Sequence, residues 1–86
     1  MNKLYPKEIK IIRVNEAANL LGMSKSSFLV RVKQGLLPSS ISLGIRSVGW
    51  VEGEVKTVLR AMVRGENPEN IKRIVVAIIK QRQYLV

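Results

Sequence analysis

The chain contains no cysteine and no histidine. Their absence removes disulfide staples, Cys/His zinc sites and every nucleophile–histidine pair. The side chains left for catalysis, Glu52, Glu54, serines and lysines, show no spacing that builds a site. No catalytic, cofactor or metal site is therefore expected. Aromatics are few, with one Trp, one Phe and two Tyr. They are not interleaved with basic residues, which argues against a base-stacking platform or an RNA-type surface. No charged leader followed by an apolar stretch opens the sequence, so no signal peptide is expected. The longest purely apolar run, Ile74 to Ile79, falls far short of the roughly 18 residues that suggest a membrane span.

Acidic residues are also scarce. Fifteen Lys+Arg face six Asp+Glu, a formal charge of +9 on 86 residues. No acid lies between Glu16 and Glu52, while Lys25, Arg31, Lys33 and Arg46 all do. The size of this bias favours a polyanionic partner over an ordinary solvated surface. The length allows one compact domain with a thin core, which excludes two-lobed enzymes. The hydrophobic share, 47%, is enough for that core and argues against disorder.

What is present reads as short elements with clear punctuation. Residues Met1 to Lys7 read as a mobile start, and Ile9, Ile11, Ile12 and Val14 as a short β-branched strand. Asn15 is the expected first N-cap, with Glu16 in the first turn and Ala17, Ala18 and Leu21 on one face. Gly22 ends this helix. Ser24 caps a second helix running to Gln34, with Met23 and Phe28 placed for a hydrophobic staple and Gly35 as the stop. Two short helices joined by a tight glycine turn form a helix-turn-helix pattern, which also occurs as a plain packing unit. Ile41 and Leu43 alternate with Ser42, Gly44-Ile45-Arg46-Ser47 reads as a turn, and Val48 and Trp50 return as the second strand of a hairpin. A third helix is expected from Glu52 to Arg64, with Val55, Val58, Leu59 and Met62 facing inward. Trp50 should pack between the hairpin and this helix. Gly65 ends it, and Asn67-Pro68-Glu69 opens a fourth.

In the second helix, Phe28, Leu29 and Val32 point one way and should be buried. Ser26, Ser27, Val30, Arg31, Lys33 and Gln34 occupy the other side. Arg31 can pair with guanine and Gln34 with adenine, and serines near a helix start can meet base edges or phosphates. Val30 is either a partner for a thymine methyl or an ordinary exposed valine. Lys25 and Lys33 suit phosphates. Arg46, at the hairpin tip beside Ser47, can enter a minor groove, clamp a phosphate or remain a solvated charge. The candidate interface is thus Ser24, Lys25, Ser26, Ser27, Val30, Arg31, Lys33, Gln34, Arg46 and Ser47.

Arg13-Val14-Asn15-Glu16-Ala17, Gly22-Met23-Ser24-Lys25-Ser26-Ser27-Phe28, Gly35, Pro38, Leu43-Gly44 and Val48-Gly49-Trp50 resemble the AlpA family of phage and prophage regulators. The resemblance spans about residues 11 to 64. It implies a winged helix related to excisionases and the MerR DNA-binding domain. It also implies a role on mobile DNA, at an integrase or excisionase promoter or as a recombination directionality factor that bends attachment-site DNA. A cytoplasmic, nucleoid-associated bacterial protein is the matching expectation. Three positions depart from the pattern: Phe28 stands where tyrosine is usual, Leu37 replaces a bulky aromatic, and Val58 or Leu59 stands where tryptophan is common. These alter core packing rather than the fold.

The expected architecture is mainly α with a small β-hairpin. It comprises a tail (1–10), a winged helix-turn-helix domain (11–64) and an extra C-terminal helix (65–86). Double-stranded DNA is the expected partner, with integrase or RNA polymerase as further possibilities. A stripe of Ile71, Ile74, Val75, Ile78 and Ile79 leaves three readings of the last helix: it can pack on the core, form a homodimer seam or, fitting least, lie on a membrane surface with Lys72, Arg73, Lys80 and Arg82. As a separate functional alternative, the same stripe can serve as a non-DNA protein-interaction face.

Overall fold

The computed structural model of the protein describes residues 9–84. The elements run β1 (Ile11–Ile12), α1 (Val14–Leu20), α2 (Lys25–Lys33), β2 (Ile41–Gly44), β3 (Ser47–Val51), α3 (Glu52–Val63) and α4 (Pro68–Gln81), closing on a 3-10 turn at Arg82–Tyr84. The strands form one antiparallel sheet in the order β1-β3-β2. Four helices and this small sheet make a winged helix-turn-helix with one added helix, as the sequence pattern predicts.

Local chemistry sets most boundaries. The Ser24 hydroxyl accepts the Ser27 N–H at 3.1 Å and so caps α2. Asn67 caps α4 by accepting the Asn70 N–H at 2.9 Å, with Pro68 in the first turn where its missing N–H costs nothing. Gly22, at φ +65°, makes the turn between α1 and α2. One start differs from expectation. Asn15 is not the cap of α1. Arg13 holds the extended cap conformation, its carbonyl accepting the Ala17 N–H at 2.9 Å. No side chain caps this end. The helix therefore begins at Val14, which the strand pattern had claimed, and β1 shortens to Ile11–Ile12. The expected mobile start, Met1 to Lys7, lies outside the described residues. Lys10 is tied to the domain, since its carbonyl accepts the Glu52 N–H at 2.9 Å.

The core gathers Ile12, Ala17, Ala18, Phe28, Leu37, Trp50, Val55, Val58 and Ala61. Phe28 meets Trp50 edge to face, with ring centroids 5.2 Å apart, a favoured aromatic geometry. The Trp50 indole N–H donates to the Pro38 carbonyl at 2.9 Å, so its one polar atom is satisfied inside. Leu37 and Val58, two departures from the family pattern, fill buried positions. Gly49 is required by space. A Cβ there would lie 2.7 Å from the Ile11 side chain and 3.1 Å from the Ile12 carbonyl. Its absence lets β1 and the hairpin close on one another.

The α4 stripe turns inward. Ile71, Val75 and Ile78 are buried, and Ile74 and Ile79 pack partly against the same core. These side chains are used within the chain, the core reading of this helix, and are not presented as a free dimer seam. Its outer side carries Lys72, Arg73, Val76 and Lys80.

One buried carboxylate holds the far end of α4. Glu54 is fully buried. Its two oxygens accept from Arg82 Nε at 2.8 Å and Nη2 at 2.6 Å, a bidentate pair. Arg82 Nη2 also donates to the Ser39 carbonyl at 2.8 Å. The end of α4 thereby grips the start of α3 and the loop that joins α2 to the wing.

Candidate nucleic-acid interface

Phe28 anchors α2 from below, and its opposite side is bare. Ser26, Val30 and Gln34 follow one another at four-residue spacing, and all three are exposed. Lys25 and Lys33 are exposed as well, and Arg31 is half-buried. Ser24 is committed to capping: besides the Ser27 N–H, its hydroxyl donates to the Ser27 hydroxyl at 3.0 Å. Both serines are thus drawn into the helix start, with Ser26 the freer of the three.

Helix α2 stands as a ridge between two hollows. On one side Ser26, Ser27, Val30, Arg31 and Gln34 slope down to Leu36 and Pro68, enclosing about 520 Å³. On the other side Lys25 and Leu29 face Arg13, Val14, Val48 and Trp50 across about 250 Å³. Leu29 therefore differs from expectation. It is 41% exposed, because the wing stands off from α2 and leaves a trough. Val32 is half-buried rather than enclosed.

The wing is the β2–β3 hairpin. Ile41 pairs with Gly49, Ser42 with Val48 and Gly44 with Ser47, with an irregularity between Ser42 and Gly44. Ile45 and Arg46 form its tip. Arg46 has φ +56°, the only described non-glycine residue at positive φ. Ser47 is half-buried in the first pair of β3.

Three acids of the described residues are held in ion pairs. Glu52 is paired with Lys56 at 3.3 Å and Lys10 at 3.5 Å. The hydrogen bond from Lys56, with the charges of Lys56 and Lys10, lowers its carboxyl below the ordinary value. Glu66 meets Arg64 at 3.5 Å, and Glu54 holds Arg82. Among the described residues, Lys25, Arg31, Lys33 and Arg46 make no ion pair. Glu52, Glu54 and Glu66 are committed to other cations, so none of these three offsets the positive charge of α2 and the wing.

Of the residues singled out from sequence, Ser26, Ser27, Val30, Arg31 and Gln34 line one hollow. Lys25 lines the other. Arg46 and Ser47 lie at the wing end rather than in either hollow. Arg13 was missed, although it joins Lys25 in the wing-side trough. Its placement in the basic stretch just before α1 was the available signal. Leu36 and Pro68 were missed as flanking walls, because nothing local shows that α4 starts beside α2.

The family model described as Prophage CP4-57 regulatory protein (AlpA) matches residues 10–61. The chain belongs to the AlpA family. The match runs from β1 into the last turn of α3, so the ridge, both hairpin strands and the tip lie within the AlpA region while α4 lies beyond it. The chain is also 30% identical over 56 residues to the Uncharacterized protein ORF88 of Enterobacteria phage P4. That alignment covers 65% of this chain and 64% of the phage protein, so the chain spans a little under two thirds of that relative. No solved structure matches. AlpA proteins form a regulatory family. Among the described residues, no helix is long and apolar enough to cross a membrane.

Proposed function

We propose that this chain is a sequence-specific, double-stranded DNA-binding regulator of a prophage or related mobile element, acting at an integrase or excisionase promoter. The observation that carries the reading is the α2 ridge, bare along Ser26, Val30 and Gln34 and flanked by two hollows that each hold cations. Nine helical residues span about 14 Å, comparable to a major groove about 12 Å wide. With the ridge in that groove, each bordering sugar-phosphate strand has a hollow to occupy. Lys25 and Arg13 meet one strand, Arg31 the other. Apolar walls at Leu29, Val48, Leu36 and Pro68 suit sugars, and the cations suit phosphates.

In this arrangement Lys25, Lys33, Arg13 and Arg31 hold the backbone. Gln34, Ser26 and Val30 face base edges. The test is footprinting on DNA flanking the protein's own gene. A single protected promoter segment, lost in Arg31→Ala and Arg46→Ala, is the expected outcome. No protection on any duplex, or protection indifferent to both substitutions, would overturn the reading.

A second reading, an excisionase-like protein that bends attachment-site DNA, is favoured by the exposed apolar tip of the wing. It predicts a ladder of complexes on adjacent repeats.

A further inference from the structure

The wing tip is built from two residues that suit a tight turn badly. A two-residue hairpin connection favours Asn, Asp or Gly, which tolerate positive φ. Here the first position is Ile45, β-branched and a strand former. The second is Arg46, held at φ +56°, where a side chain is strained and glycine is not. Among the described residues, neither burial of Ile45 nor an ion pair to Arg46 offsets the choice. Ile45 is 93% exposed, the most exposed of the large apolar residues described. Arg46 makes no ion pair among the described residues. A single exposed apolar residue is unremarkable. Two successive residues that break the local rule, at the furthest point of a hairpin, indicate a contact outside the chain.

The surroundings limit what that contact is. No acid occurs between Glu16 and Glu52, so the field around the tip is positive and suits a polyanion. The trough at the base of the wing holds Arg13 and Lys25. A DNA strand seated there has the major groove and α2 on one side and the minor groove on the other. The hairpin reaches over that strand, which brings its tip to the minor groove. Minor-groove proteins combine arginine with apolar wedges that part adjacent base pairs and kink the duplex.

We propose that Ile45 is such a wedge: it enters the minor groove beside Arg46, partly unstacks one base step and bends the DNA. Arg46 follows the narrow groove electrostatically, and Ile45 exchanges water for the faces of the parted bases. The inference rests on the DNA-binding reading and adds a deformation to it.

The test uses a duplex selected by the full chain from a random-sequence pool, with 2-aminopurine placed at successive steps of the bound site. Wild-type protein is expected to raise the fluorescence at one step several-fold and to bend the duplex by some tens of degrees in a circular-permutation assay. Ile45→Asn suits the turn and keeps the fold. It is expected to abolish the fluorescence rise and the bend, with affinity lowered about tenfold. Ile45→Leu should restore both. A bound wild-type complex without unstacking, or an Ile45→Asn complex with the same bend, overturns the wedge and leaves DNA binding standing. No shift of any duplex overturns both.

Discussion

Removing Arg82 tests how the added helix is held. Arg82→Met deletes a bidentate partner from Glu54, a carboxylate with no solvent exposure. Breaking one side of a buried ion pair costs about 3–5 kcal/mol. Lost support for the Ser39 carbonyl adds about 1 kcal/mol at most, because that side of the contact reaches solvent. A chain of 86 residues has about 4–13 kcal/mol of stability in total. The substitution should therefore remove about a quarter of it or more, lowering Tm by about 12 °C or more. Trp50, the single tryptophan, lies under the loop that Arg82 grips, so its fluorescence reports the urea transition. The double change Glu54→Met, Arg82→Met removes both charges and should return most of the loss. A midpoint for Arg82→Met corresponding to less than about 1 kcal/mol of change would refute this account of α4.

Other substitutions probe separate links. Gly49→Ala places a methyl against the Ile11 side chain and the Ile12 carbonyl; a loss of about 1–3 kcal/mol is expected in urea melts. Arg46→Gly relieves a left-handed arginine, a gain of about 1–2 kcal/mol that the freer unfolded chain offsets by about 0.4–1 kcal/mol. Stability should hold or rise slightly while DNA affinity falls, and a parallel loss of both would contradict a binding role for the tip. The Glu52 carboxyl is lowered in the folded chain, so its contribution is present above its ordinary value of 4.5 and fades as pH falls through the folded value. Glu52→Gln should reduce stability at neutral pH and converge on the wild type in acid, as read from melts across that range.

Where a boundary depends on one side chain near the break, it was legible in the sequence. Ser24, Asn67-Pro68 and Gly22 act through bonds and dihedrals within a few residues, and the structure places each as expected. The wing was legible for the same reason, from alternation around Gly44 and Ser47. Asn15 misled because cap preference says which residue suits an end, not where the preceding strand stops. Leu29 misled because a helical wheel gives a direction but not what lies opposite; the wing stands away and the direction opens on a trough. The Glu54–Arg82 pair joins residues 28 apart, and no local pattern marks either one. The α4 stripe announced an apolar side, but only the packing of Ile71, Val75 and Ile78 shows that it closes on its own core. The ridge residues were legible as a set. Arg13, Leu36 and Pro68 were not, since they reach the ridge through tertiary placement.

The most direct test of the cationic ridge is the salt dependence of duplex binding. Five cations set against the DNA backbone, Arg13, Lys25, Arg31, Lys33 and Arg46, give a log–log slope of about −4.5, or roughly a five-hundredfold loss between about 50 and 200 mM salt. Replacing Lys25, Arg31 and Lys33 together with alanine should bring the slope to about −1.8. A slope unchanged by that triple substitution would contradict the account.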